Sequence, residues 1–169
     1  MTKYIKFLSA FLAILTINAC TIKYSFTGAS ISPEAQTVSV TSFENVASLV
    51  TPTLASLMTE QLQDKFSRQT RLSLVRDDGD LSFEGEITNY VSSPIAVTSD
   101  EYAAMNRLTI TVRVRFENKT EPQYNYSRTF SSYEDYDSSQ LLQEVESTLL
   151  TTIVEKLVED IFNAAVSNW

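Results

Sequence analysis

Between Arg107 and Asn118 apolar and polar residues alternate without a break. Leu108, Ile110, Val112, Val114 and Phe116 fall on one side, and Arg107, Thr109, Thr111, Arg113, Arg115 and Glu117 on the other. A repeat of two belongs to an extended strand, whose successive side chains point to opposite faces. The run therefore demands a sheet with one face buried and the other turned to water or to a partner. The segment before it carries a similar signal, with Leu81, Phe83 and Ile87 on one side and Ser82, Glu84, Glu86, Thr88 and Tyr90 on the other. Antiparallel pairing of the two sets Glu84 and Glu86 across from Arg113 and Arg115. Such cross-strand pairs are worth roughly 0.2 to 1 kcal/mol each.

The elements that cover the buried face lie to either side of these strands. Thr51 is placed as an N-cap with Pro52 at the first helical position, and Leu54, Leu57, Met58, Leu62 and Phe66 recur at helical spacing. A second helix is expected from Asp137, where Gln140 three residues on resembles a capping box. Its core stripe is Leu142, Val145, Leu149, Ile153, Leu157 and Ile161. Toward its end Leu157, Val158, Ile161, Phe162 and Val166 span a wider arc than one sheet covers, which leaves the excess to the first helix or to a partner.

Thr37 to Phe43 and Leu72 to Val75 read as further strands. Gln123 to Tyr133 reads as the last, with Tyr124, Tyr126 and Phe130 at even spacing and Arg128 among them as the mark of an edge or a bulge. The run Asp77, Asp78, Gly79, Asp80 has hairpin-turn residues, with Gly79 supplying a positive φ. Its aspartates do not follow the spacing of a calcium loop. A strand, a helix, a run of strands and a long helix make an α+β two-layer sandwich. Its sheet is expected to be mainly antiparallel, with four to five strands and two helices on one face.

The N-terminus is of a different kind. Lys3 and Lys6 precede an apolar run, Phe7 to Ile17, of eleven residues broken only by Ser9 and Thr16. That is too short to span a bilayer but suits the core of an export signal. Ile17, Asn18, Ala19 and Cys20 resemble the bacterial lipobox, from which Asn18 departs. Cys20 is the only cysteine, so an internal disulfide is excluded and a lipid tether is the role left to it. One acyl chain holds a protein only marginally, so the resemblance implies a multiply acylated anchor. The expected organisation is a signal peptide over 1–19, a lipidated tether and edge segment over 20–36, and a single domain over 37–169. The absence of an acidic cluster at Thr21, Ile22 and Lys23 leans toward the periplasmic side of the membrane.

Composition removes several functions. The chain has no histidine, and a committed cysteine leaves no thiol for a Cys-His site. Gly28, Gly79 and Gly85 stand isolated, so no phosphate-binding loop is present. The formal charge is -8, and loss of Lys3 and Lys6 with the signal makes it two units more negative, which excludes nucleic acid as a partner. No metal site, cofactor or enzymatic activity is expected.

Several stretches then carry a resemblance: Tyr24-Ser-Phe-Thr-Gly-Ala-Ser30, Gly79-Asp-Leu-Ser-Phe-Glu-Gly-Glu-Ile87, Asn106-Arg-Leu-Thr-Ile-Thr-Val112 and Asp160-Ile-Phe-Asn163, with Trp169 at the end. In their order and spacing the chain resembles LptE, the lipopolysaccharide-assembly lipoproteins of Gram-negative outer membranes. The resemblance implies a non-enzymatic plug and assembly partner within the lumen of the LptD β-barrel, with lipopolysaccharide as a further ligand. The residues themselves put the contact face on Arg107, Thr109, Thr111, Arg113 and Arg115, and equally allow those arginines to be spent in cross-strand salt bridges. Two other roles stay open: accessory lipoprotein of another envelope transporter, and structural or adhesin-like envelope lipoprotein.

Overall fold

A computed structural model describes residues 31–48, 51–95 and 104–166. The expected signal peptide, Cys20, the expected tether as far as residue 30 and Trp169 lie outside the described residues. In chain order the elements are β1 (Thr37–Val40), β2 (Glu44–Asn45), α1 (Pro52–Gln69), β3 (Ser73–Val75), β4 (Leu81–Ile95), β5 (Met105–Asn118), a 3-10 turn (Pro122–Tyr124), β6 (Tyr126–Asp137) and α2 (Leu142–Val166). The strands form one six-stranded sheet in the order β3-β1-β4-β5-β6, with β2 also pairing β4. Both helices pack on one face of it, as an α+β two-layer sandwich should.

The long strands β4, β5 and β6 pair antiparallel. The short ones are parallel: β1 to β3, and both β1 and β2 to β4. The sheet is therefore mixed, and the expected hairpin at Asp77–Asp80 is not one. β3 and β4 flank β1 and run the same way as it does, so the chain leaving Val75 must cross β1 to begin β4 at Leu81.

Gly79 makes that crossing. A Cβ placed on it would stand 2.6 Å from the Ser39 nitrogen and 2.9 Å from the Val38 carbonyl carbon. It is not in the left-handed region; Asp78, at φ 61°, is the residue that turns the chain. Glycine is thus required here for close approach of two backbones, not for its φ. Asp80 completes the join, its Oδ2 accepting from the Gln36 and Thr37 amides, each at 2.9 Å, and from Thr37 Oγ1 at 2.8 Å. Asp78 instead takes the Lys119 ammonium at 2.6 Å, so these carboxylates do not converge on a common point.

The Gln36 amide and then the Thr37 hydroxyl hold the Asp80 carboxyl below its ordinary range. A depressed folded pKa contributes stability above the unfolded value and loses it as pH falls through the folded one. Asp80→Asn is therefore expected to lower the urea midpoint at pH 7, and the gap from the parent protein should narrow steadily below about pH 4. A gap that stays constant to pH 2.5 would show that Asp80 acts through shape rather than charge.

In β4 the register slips between Ile87 and Asn89, leaving Thr88 as a bulge. A one-residue slip exchanges the faces, so Tyr90 is not on the polar side with Glu84 and Glu86 but buried opposite Ile110. Its hydroxyl bonds to Glu146 of α2, which also accepts from Thr51 Oγ1 at 2.9 Å. Burial, reinforced by the Glu146 carboxylate, pushes the Tyr90 phenol up to about 12. Thr51 does precede α1 with Pro52 next in line, but its side chain caps no amide of its own helix. It fastens α1 to α2 instead.

At the other junction β6 runs on to Asp137, whose Oδ1 accepts from the Ser139 amide at 2.8 Å while its carbonyl accepts from Gln140. These bonds shape a turn rather than a capping box, and α2 starts only at Leu142. The last strand also begins later than its aromatic spacing suggests, because Pro122–Tyr124 coils into the 3-10 turn.

The core centres on rings in sequence across both layers: Phe162 to Phe66 at 5.0 Å, Phe66 to Phe83 at 4.9 Å, Phe83 to Phe116 at 4.8 Å and Phe116 to Tyr126 at 5.1 Å. Leu54, Met58, Leu62 and Phe66 are the buried stripe of α1, with Leu57 half-buried at its margin. Leu157, Val158, Ile161, Phe162 and Val166 are all buried. The wide arc at the end of α2 is therefore covered within the domain, with α1 supplying Phe66 against Phe162.

Candidate partner-binding face

The face of the sheet opposite the helices is built from alternate residues of β4, β5 and β6, aligned in rows by the strand register. Glu84, Arg115 and Ser127 form the first row, and Glu86, Arg113 and Thr129 the second. Past the bulge come Asn89, Thr111 and Ser131, then Val91, Thr109 and Tyr133, then Ser93, Arg107 and Asp135. The face thus gathers Arg107, Thr109, Thr111, Arg113 and Arg115 on one strand, each flanked by polar or small neighbours except at the Val91–Tyr133 row.

The expected cross-strand pairing is present: Arg113 Nη1 lies 3.1 Å from Glu86 Oε2, and Arg115 Nη1 lies 3.7 Å from Glu84 Oε2. Arg115 also pairs with Glu117 two residues on along its own strand. These side chains are 44 to 64% exposed, so each pair adds little to stability, of the order of 0 to 1 kcal/mol, and can be exchanged cheaply for a partner's groups.

Arg107 is held differently. Its Nε and Nη2 grip the two oxygens of Asp135 at 2.7 and 2.9 Å, and its guanidinium lies 3.7 Å from the centre of the Tyr133 ring. A planar fork bonded at both prongs and stacked on an aromatic face is the strongest arrangement open to an arginine at a surface. Bonding to Asp135 raises the Arg107 pKa further, and the same contact lowers that of Asp135. The sequence reading does not find Asp135, because it ends the last strand at Tyr133 and gives Asp137 to the helix; Tyr133 lies within that strand but out of step with the even spacing of Tyr124, Tyr126 and Phe130.

Electrostatically the stripe is cancelled. The three guanidiniums face four carboxylates, of Glu84, Glu86, Glu117 and Asp135. Thr111 and Ser131 link hydroxyls at 3.0 Å in the centre. At the charged end Thr41, Ser42 and Glu44 close one side of a shallow depression of about 430 Å³ over Glu84, Glu86, Arg113 and Arg115. What results is a broad, polar, nearly neutral platform of exposed ion pairs and hydroxyls.

The family model for lipopolysaccharide assembly, LptE, matches residues 35–165. The chain belongs to the LptE family. That is a family of non-catalytic assembly proteins, and the match takes in every strand and nearly all of α2. No curated protein is significantly similar to the chain in sequence. Among solved structures, a minor lipoprotein from Acinetobacter baumannii is similar at 16% identity with a TM-score of 0.52, over 79% of this chain and 94% of that one. A hypothetical protein from Chlamydia trachomatis is similar at 9% identity and a TM-score of 0.53, over 79% and 99%. At such identities the likeness is one of fold alone.

Proposed function

We propose that this LptE-family chain is anchored to the outer membrane through acylated Cys20 and serves as plug and assembly partner of an LptD-type β-barrel, supporting delivery of lipopolysaccharide to the surface. The single observation that carries the reading is the charge-cancelled platform on β4, β5 and β6. A barrel lumen is lined by polar side chains, and a flat polar face of mixed sign can exchange its exposed ion pairs for those of the wall. Lipopolysaccharide bears phosphates, which need an excess of positive charge that Arg107, Arg113 and Arg115 do not supply while four carboxylates neutralise them. The plug role is therefore favoured over direct capture of lipopolysaccharide on this face.

The test is recovery of C-terminally tagged protein from outer membranes in mild detergent, with its partners identified by mass spectrometry. A large barrel of the lipopolysaccharide-export type in near-equal amount is the expected result. Recovery alone, or with a different transporter, would overturn the reading and favour an accessory or structural envelope lipoprotein.

Replacing Arg113 and Arg115 together by alanine is expected to change unfolding stability by no more than about 1 kcal/mol per ion pair, since all three of their pairs are exposed. The same variant should recover markedly less barrel and leave lipopolysaccharide retention unchanged. If barrel recovery is unaltered as well, this face is not the contact surface.

A further inference from the structure

The outer edge of the sheet at β6 is the feature that the platform does not use. Among the described residues β6 is the last strand in the order, and its twelve residues pair with β5 in unbroken register from Tyr126 to Asp137. Natural edge strands are blunted by shortness, proline, lysine, a bulge or a covering element, because an open row of amides and carbonyls invites a further strand. The opposite edge follows this habit, β3 being three residues long. β6 contains no proline, lysine or bulge, and its acidic residues Glu134, Asp135 and Asp137 all lie in its last third. From Tyr126 to Tyr133 the one charged side chain is Arg128.

Arg128 is exposed, and among the described residues it lies over the Tyr126 ring, 4.9 Å from its centre, without an ion-pair partner. That sets it apart from Arg107, Arg113 and Arg115 of the neighbouring strand. On its two sides along the helix-facing side of the strand, Tyr126 and Phe130 are only half-buried where the core ends. The edge therefore offers backbone hydrogen bonds together with an apolar, positive, apolar sequence of side chains.

Resting on the reading of the chain as a barrel partner, we infer that the Tyr126–Tyr133 edge of β6 takes up an extended segment of the partner protein as an added strand. The segment that fits presents, on alternate positions, an apolar residue, a carboxylate and an apolar residue opposite Phe130, Arg128 and Tyr126. Backbone pairing supplies affinity in such strand addition, and the alternate side chains supply the choice of partner.

The experiment is photo-crosslinking in intact Gram-negative cells making the natural partner, with p-benzoylphenylalanine placed at Tyr126 or Phe130, on the side of the edge strand away from the platform, and, separately, at Thr109 in the middle of the platform. Adducts from both β6 positions with one extended, acidic segment of the barrel protein are expected. Arg128→Glu should lower their yield about fivefold, whereas Arg128→Lys should retain most of it. Barrel adducts from Thr109 with none from Tyr126 or Phe130 would overturn the strand-addition inference and leave the plug reading standing. No barrel adduct at any position would overturn both. An adduct between two copies of this chain at Tyr126 or Phe130 would show that the edge docks itself, and would equally overturn the inference.

Discussion

Phe83→Ala is expected to destabilise the domain by about 3 to 5 kcal/mol, a large share of the roughly 5 to 15 kcal/mol that holds an ordinary domain folded. Phe83 is fully buried and sits where the two layers meet, its ring 4.9 Å from Phe66 of α1 and 4.8 Å from Phe116 of β5. Deleting it removes the transfer energy of the ring and leaves a cavity walled by rigid rings on β5 and α1, which can close only partly. It also breaks two tilted aromatic pairs in a chain that continues through Phe66 to Phe162 at the end of α2. Chemical unfolding followed by far-ultraviolet circular dichroism checks this. Phe83→Leu should cost less, because leucine keeps much of the apolar volume. Equal effects from the two substitutions would mean that the site collapses freely and that the ring stack does not hold the layers together.

The parts of this fold that could be read directly are those whose side-chain pattern is long enough to be periodic. β5 alternates through Phe116, and the stripes from Leu54 to Phe66 and from Leu142 to Ile161 repeat at helical spacing; the strand and both helices occur, with Leu142 and Val145 at the start of the second stripe only half-buried. Even the opposition of Glu84 and Glu86 to Arg115 and Arg113 follows once β4 and β5 are paired antiparallel. What periodicity cannot carry is the pairing of strands two to four residues long. β1, β2 and β3 take their parallel places because α1 returns the chain to the same end of the sheet and because Gly79 and Asp80 lock the crossing over β1. Nor does alternation reveal a bulge, since Thr88 looks like any other residue in the run, yet it moves Tyr90 from the partner face into the core. The candidate face was legible in its arginines and in Glu84 and Glu86 but not in its full charge: Asp135 lies beyond the point where the aromatic spacing of β6 stops being informative, and it neutralises Arg107.

Gly79→Ala separates the two reasons for which a turn can demand glycine. Were φ the constraint, alanine would be strained by its own backbone; here Gly79 has no positive φ, and the obstacle is the backbone of β1 itself. A methyl group would have to push against the Ser39 nitrogen at 2.6 Å and the Leu81 oxygen at 2.7 Å, both fixed in the sheet, so no side-chain rotation can make room. The loop must lift from β1, and that pulls Asp80 away from Gln36 and Thr37 and the Gly79 amide away from Ser39 Oγ, which it meets at 3.2 Å. Overpacking of this kind costs about 1 to 3 kcal/mol before the lost hydrogen bonds are counted. Asp78→Gly, one residue earlier, should by contrast change stability by less than about 1 kcal/mol: relief of its left-handed φ is set against the greater freedom of glycine in the unfolded chain. The two variants therefore differ in size of effect although both alter the same turn, and thermal unfolding of each resolves them. If Gly79→Ala proves neutral, β1 is not pinned beneath the loop, and the parallel placement of β3 and β4 around it needs another cause.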